Sequence, residues 1–158
     1  MVKNFWSLNV DEALVADKLQ NELKRKGYEV LFPLRAQLRD IDLILFNCQE
    51  KRAYTIQVKG TRSYDPSKRQ TERFGDGEAG WIMIKKDCIF SPHNSIDFFI
   101  FLVHLGKRGK IKKEVELYYI IIPTNEFKRL LKMHNKKIGK HNLYNFFIWI
   151  NPEEKKAF

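Results

Sequence analysis

The chain has 158 residues, 44% of them hydrophobic and 30% charged, which is enough apolar material for one core of ordinary domain size and too much for a disordered tail. Lys and Arg number 29 against 19 Asp and Glu, and the net charge of +10 favours phosphate polymers or anionic surfaces over small acidic metabolites as partners. No apolar run approaches the roughly 20 residues of a membrane-spanning helix. The opening residues lack a secretory pattern, and the lone cysteines Cys48 and Cys88 fit neither a zinc spacing nor a disulfide framework, so a cytoplasmic, reducing setting without membrane contact is expected.

The first predicted element is a helix over residues 10–26, with Asn9 as its N-cap and Gly27 as a left-handed stop. Lys24, Arg25 and Lys26 sit at the end of the helix that favours cations. At about 100° per residue, Ala16, Leu19 and Leu23 fall within about 40° of Glu12, so the apolar stripe begins with an acid. Short strands are expected over 28–32, 41–46 and 53–59; Pro33 stops the first, and a polar connection over 47–52 joins the other two. Residues 60–80, broken by Pro66, Gly75, Gly77 and Gly80, read as a long polar segment.

Strands follow over 81–85 and 97–104, then the turn-like Gly106-Lys107-Arg108-Gly109-Lys110 and a strand over 115–122. Thr124 is the expected cap of a helix over 125–136, with Phe127, Leu130, Leu131 and His134 near one face. A last strand over 145–150 ends at Asn151-Pro152. There is no internal repeat, low-complexity run or linker, so residues 1–158 are expected to form a single α/β domain.

Asp42 is the one acid inside the apolar run Ile41-Asp42-Leu43-Ile44-Leu45-Phe46. Acids are depleted in strands, and a buried carboxylate needs a partner or a metal. The plain alternative is an Asp at the exposed start of the strand; Asp40, two residues earlier, is a second candidate on the same face. In the next strand Tyr54, Ile56 and Val58 face one way while Thr55, Gln57 and Lys59 face the other, which would be ordinary for a solvated sheet face. If the two strands form a hairpin with Phe46 opposite Thr55, then Ile44 meets Gln57 and Asp42 meets Lys59. Opposite Cβ atoms lie roughly 5 Å apart, so an acid, an amide and an amine would share one patch.

Ile41-Asp42-Leu43-Ile44 followed by Ile56-Gln57-Val58-Lys59-Gly60 resembles the PD-(D/E)xK nuclease superfamily, the restriction-endonuclease-like and Holliday-junction-resolvase-like enzymes, in a Gln-x-Lys variant. The resemblance covers residues 10–59. It implies an αβββαβ core with a central mixed sheet flanked by helices, and it implies the catalytic set Glu12, Asp42, Gln57 and Lys59. It further implies Mg²⁺, with Mn²⁺ as substitute, held by Asp42, Gln57 and Glu12, and hydrolysis of phosphodiester bonds in DNA, as an endonuclease. Two residues depart from the usual pattern: Asp40-Ile41 stand where a Pro or Gly often precedes the Asp, and Gln57 replaces the commoner Glu.

The residue types suit that chemistry, since Mg²⁺ takes oxygen ligands and a lysine can orient water or stabilise developing negative charge. Each also has an ordinary alternative, Glu12 as part of a capping box with Asn9 and Lys59 as a surface lysine or phosphate contact. Arg62, Lys68, Arg69 and Arg73 directly follow the motif, and Lys107 and Arg108 begin a second basic cluster; these are the expected nucleic-acid contacts. A third cluster runs from Lys128 and Arg129 to Lys140. Tyr64, Phe74 and Trp81 are either base-stacking or core aromatics, and His104 reads as structural. DNA is the expected partner, with a homodimer if the enzyme makes double-strand cuts or acts on branched DNA. The competing functions are a catalytically inactive nuclease-fold module that binds nucleic acid and a basic protein-interaction subunit.

Overall fold

The computed structural model describes residues 9–33, 40–90, 96–106, 115–133, 142–151 and 156–157. Helix α1 (Val10–Leu23) starts at Asn9, whose side chain accepts a hydrogen bond from Asp11 N at 3.1 Å. It tightens into a 3-10 turn (Lys24–Lys26) and stops at Gly27, whose φ of 78° lets the chain reverse into strand β1 (Tyr28–Leu31). Then come β2 (Leu43–Asn47), β3 (Arg52–Tyr64), α2 (Lys68–Phe74), β4 (Glu78–Lys85), α3 (Lys86–Phe90) and β5 (Phe98–Gly106). The remainder is β6 (Val115–Pro123), α4 (Thr124–Met133), β7 (Leu143–Asn151) and β8 (Lys156–Ala157).

The architecture is mixed α/β, with a central mixed sheet flanked by helices. Strands β1, β2 and β3 pair antiparallel, β5 lies parallel to β3, and β6 returns antiparallel along β5. The order α1-β1-β2-β3, then helices, then a parallel β5 is the expected αβββαβ succession with β4 inserted between α2 and α3. The tip of β3 (Ser63 and Tyr64) leaves β5 to pair with β4, which continues the sheet through β7 to β8.

Two apolar layers sit on opposite faces of β3 and β5. Val15, Ala16 and Leu19 of α1 bury Leu43, Ile56, Val58, Ile100 and Leu102 on one face. On the other, Phe99, Phe101, Val103 and Leu105 meet Ile82 and Ile84 of β4, Ile148 and Ile150 of β7, and Phe127 and Leu131 of α4. Strand β5 is therefore covered on both sides, which accounts for its unbroken apolar run.

The structure corrects the sequence reading at four places. Residues 60–80 are not one polar segment, because β3 runs on to Tyr64, Gly60 pairing beside Leu102, and α2 follows. The missed signal is Ser67-Lys68-Arg69-Gln70, a capping box in which Ser67 N donates to Gln70 Oε1 at 2.9 Å. Helix α3 was also unseen, hidden in the short run after β4. Thr124 is the first residue of α4 rather than a cap outside it: its N–H donates to Asp97 O at 2.9 Å and its hydroxyl is buried without a hydrogen-bond partner among the described residues. The fourth correction is the β2–β3 register, which is offset by two residues: Ile44 pairs with Thr55 and Phe46 with Ala53. Asn47 sets that offset, accepting from Gln49 N at 3.0 Å and Glu50 N at 3.1 Å and closing the turn at Asn47–Arg52. The turn-like stretch after Gly106, His134 and the end of the predicted last helix lie outside the described residues.

Candidate active site

An offset of two preserves side-chain direction, so the same residues share a face but meet different partners. Asp42 N donates to Ile56 O at 2.9 Å, which sets Asp42 beside Gln57 instead of Lys59. Val58 N donates to Asp42 Oδ2 at 2.9 Å, and Gln57 Nε2 donates to the same oxygen. Both residues are buried, Asp42 at 9% exposure and Gln57 at 2%. The other end of the amide, Gln57 Oε1, is buried with no hydrogen-bond partner among the described residues. A buried carbonyl oxygen next to a carboxylate is a site of concentrated negative potential, suited to a hard cation.

Lys59, half-buried, follows Gln57 on the same face of β3. It belongs to a small polar group that the sequence reading did not assemble. Cys88 of α3 is buried, and burial pushes its thiol pKa up, with the Asp40 carboxylate and its hydrogen bond adding to the rise. Lys59 and Lys85 oppose the rise electrostatically. Asp40, at φ 67°, reaches the Cys88 thiol with its carboxylate.

Glu12 is half-buried in the first turn of α1. Its neighbour Asp11 lies directly over Gly60, one residue past Lys59, and Asp11 Oδ1 is 2.7 Å from His104 Nε2 on β5. His104 stands beside Arg62 in the parallel β3–β5 register. Arg62 and His104, with Ser63, Tyr64, Asp65, Glu78, Gly106 and Val115, line a pocket of about 420 Å³. Nothing in the local sequence pairs Asp11 with a histidine 93 positions away. Among the described residues, no three His, Cys, Asp or Glu side chains gather as a metal-binding group.

Of the expected nucleic-acid contacts, Arg62, Lys68, Arg69 and Arg73 are exposed, while Lys107 and Arg108 lie outside the described residues. Arg129 binds Glu126 at 2.5 Å and holds that carboxyl below its usual range. Phe74 packs its ring on Phe147 and Trp149 at 5.6 and 5.4 Å, and the hydroxyl of Tyr64 accepts from Gln70 Nε2 at 3.1 Å. Trp81 is 48% exposed.

No protein-family model and no curated protein matches the chain. Among solved structures it is similar to the bacterial homing endonuclease I-Ssp6803I, with 15% identity and a TM-score of 0.44 over 95% of this chain and 82% of that one. No helix among the described residues is long and apolar enough to cross a membrane.

Proposed function

We propose that the chain is a Mg²⁺-dependent nuclease that hydrolyses phosphodiester bonds in DNA as an endonuclease. The observation that carries this reading is the buried Asp42–Gln57 pair, whose Gln57 Oε1 has no partner among the described residues, with Lys59 next on the same strand face. The oxygens of Asp42 and Gln57 fit a hard divalent ion: Asp42 would hold it with its carboxylate and Gln57 with its carbonyl oxygen, with Mn²⁺ as substitute. Glu12, whose helix packs on the opposite face of β3, would contribute through water. When bound, the ion neutralises phosphate charge and acidifies water. Lys59 orients the attacking water through its ammonium group and stabilises the negative charge that develops on the phosphate. The hydrogen bond from Val58 N fixes the direction of the Asp42 carboxylate.

A second reading, a nuclease-fold module that binds DNA without cutting it, is favoured by one contact. Gln57 Nε2 already donates to Asp42 Oδ2, and a neutral amide brings no charge to hold a cation. Plasmid incubated with the protein and Mg²⁺ or Mn²⁺ separates the readings. Metal-dependent nicking that disappears in both Asp42→Ala and Lys59→Ala is the expected result. DNA binding without nicking selects the module, and absence of binding leaves the basic protein-interaction subunit.

A further inference from the structure

The outer surface of β4 and β7 carries a feature that the catalytic reading does not use. Along β4 the side chains of Ile82 and Ile84 enter the core, while Trp81, Met83 and Lys85 point outward. Trp81 is 48% exposed and Met83 57%. Antiparallel pairing sets Phe147 opposite Trp81 on that same outer face. Phe74 of α2 covers Phe147 at 5.6 Å, and the Arg73 guanidinium lies 5.0 Å over the Phe74 ring. The result is an aromatic row, Phe74–Phe147–Trp81, continued by Met83 and closed by cations at both ends.

The surrounding charge identifies the occupant. Helix α2 exposes Lys68, Arg69 and Arg73 against Glu72, which is paired loosely with Lys68 at 4.0 Å. Lys85 adds a cation at the far end, and Asp76 is the acid in the connection after α2. Cations therefore outnumber acids around an exposed indole. A second copy of the chain docked here about a two-fold axis would bring these same cations against one another. A polyanion that presents flat apolar faces meets no such repulsion.

We infer that this face is a stacking platform for unpaired nucleotides, with Trp81 against a base and Arg73 and Lys85 against the flanking phosphates. Duplex DNA hides its base faces, so the platform discriminates in favour of single-stranded DNA. Indole on a strand has few rotatable bonds to freeze, which suits it to this task. The inference stands apart from cleavage, because it concerns metal-free binding on a surface other than the Asp42–Gln57 site.

The test is fluorescence anisotropy of a labelled oligothymidine of about 15 nucleotides, in EDTA, beside a duplex of equal length. Trp81→Ala is expected to weaken single-strand binding about ten-fold and duplex binding less than about two-fold, since stacking on one base is worth about 1–3 kcal/mol. Trp81→Phe should restore most of the loss. Lys85→Glu, an exposed change that leaves the fold alone, should weaken single-strand binding and flatten its salt dependence. Unchanged single-strand binding in Trp81→Ala, or equal losses for single strand and duplex, overturns the platform. So does a wild-type dimer that Trp81→Ala converts to monomer in sedimentation, which assigns the face to a second copy.

Discussion

Gln57 is the residue on which the proposed chemistry turns. Its amide satisfies one oxygen of Asp42 through Nε2 and leaves Oε1 buried beside it. Exchange of the amide for a carboxylate removes that donor and puts two acids in contact. Gln57→Glu is therefore expected to lower stability in EDTA by about 1–3 kcal/mol, the cost of an unsatisfied buried polar group. The same variant should gain more from divalent ions than the wild type does, about 2.7 kcal/mol at a hundredfold excess over the dissociation constant. Thermal melts of both proteins in EDTA and in Mn²⁺ measure the difference. An unchanged melting temperature in EDTA, or no metal response, removes the cation reading of this pair. The alternation of residues 54–59 was enough to put Gln57 and Lys59 on one face. The direct contact of Gln57 with Asp42 was not legible, because it depends on a register set by the Asn47 turn.

At the scale of elements, β3 organises the molecule. Its first half pairs with β2, its middle lies parallel to β5, and its tip turns to β4. Gly60 sits in that middle section because Asp11 of α1 rests against its backbone, and a Cβ there would overlap the carboxylate. His104 holds Asp11 from β5, so the start of α1 is fastened to two adjacent strands close to Lys59. Gly60→Ala is expected to cost about 1–3 kcal/mol through overpacking and to speed hydrogen exchange over residues 9–16. Gly106→Ala is the comparison, since a Cβ at that site meets nothing within 4 Å. A loss at Gly106 equal to that at Gly60, or unaltered exchange in α1, contradicts the fastening role. Of these features, the helix with its Asn9 cap and Gly27 stop was readable from sequence, whereas the extension of β3 through Gly60 was not. Glycine normally weakens a strand, and only the Asp11 side chain of α1 against its backbone explains its place there.

Across the whole molecule the net charge of +10 would set how it meets the proposed polyanionic partner. Every phosphate contact releases counterions, so affinity for duplex DNA should fall linearly on a logarithmic salt scale. In EDTA a slope of about −3 or steeper is expected, corresponding to at least about three phosphates neutralised. Titration of a labelled duplex at several salt concentrations gives that slope. A slope near zero removes nucleic acid as the partner and favours the protein-interaction reading. The exposed cations Arg62, Lys68, Arg69 and Arg73 belong to segments on either side of the β3 tip, so their joint effect is a property of the fold rather than of any one cluster.

Local pattern was sufficient for much of this protein. Alternating and helical periodicities, together with caps and stops, defined most strands and both longer helices, because those signals act between residues a few positions apart. Asp42, Gln57 and Lys59 in that order carried the family resemblance from which the proposed chemistry comes. Tertiary structure alone decided which atoms touch: the offset of two between β2 and β3, the Asp11–His104 pair, the placing of Cys88 near Lys59, and the outward turn of Trp81. The β2–β3 offset is fixed by the turn at Asn47; the others join positions far apart in the chain, and such contacts are selected by the simultaneous packing of a sheet on both faces, which no short stretch of sequence contains.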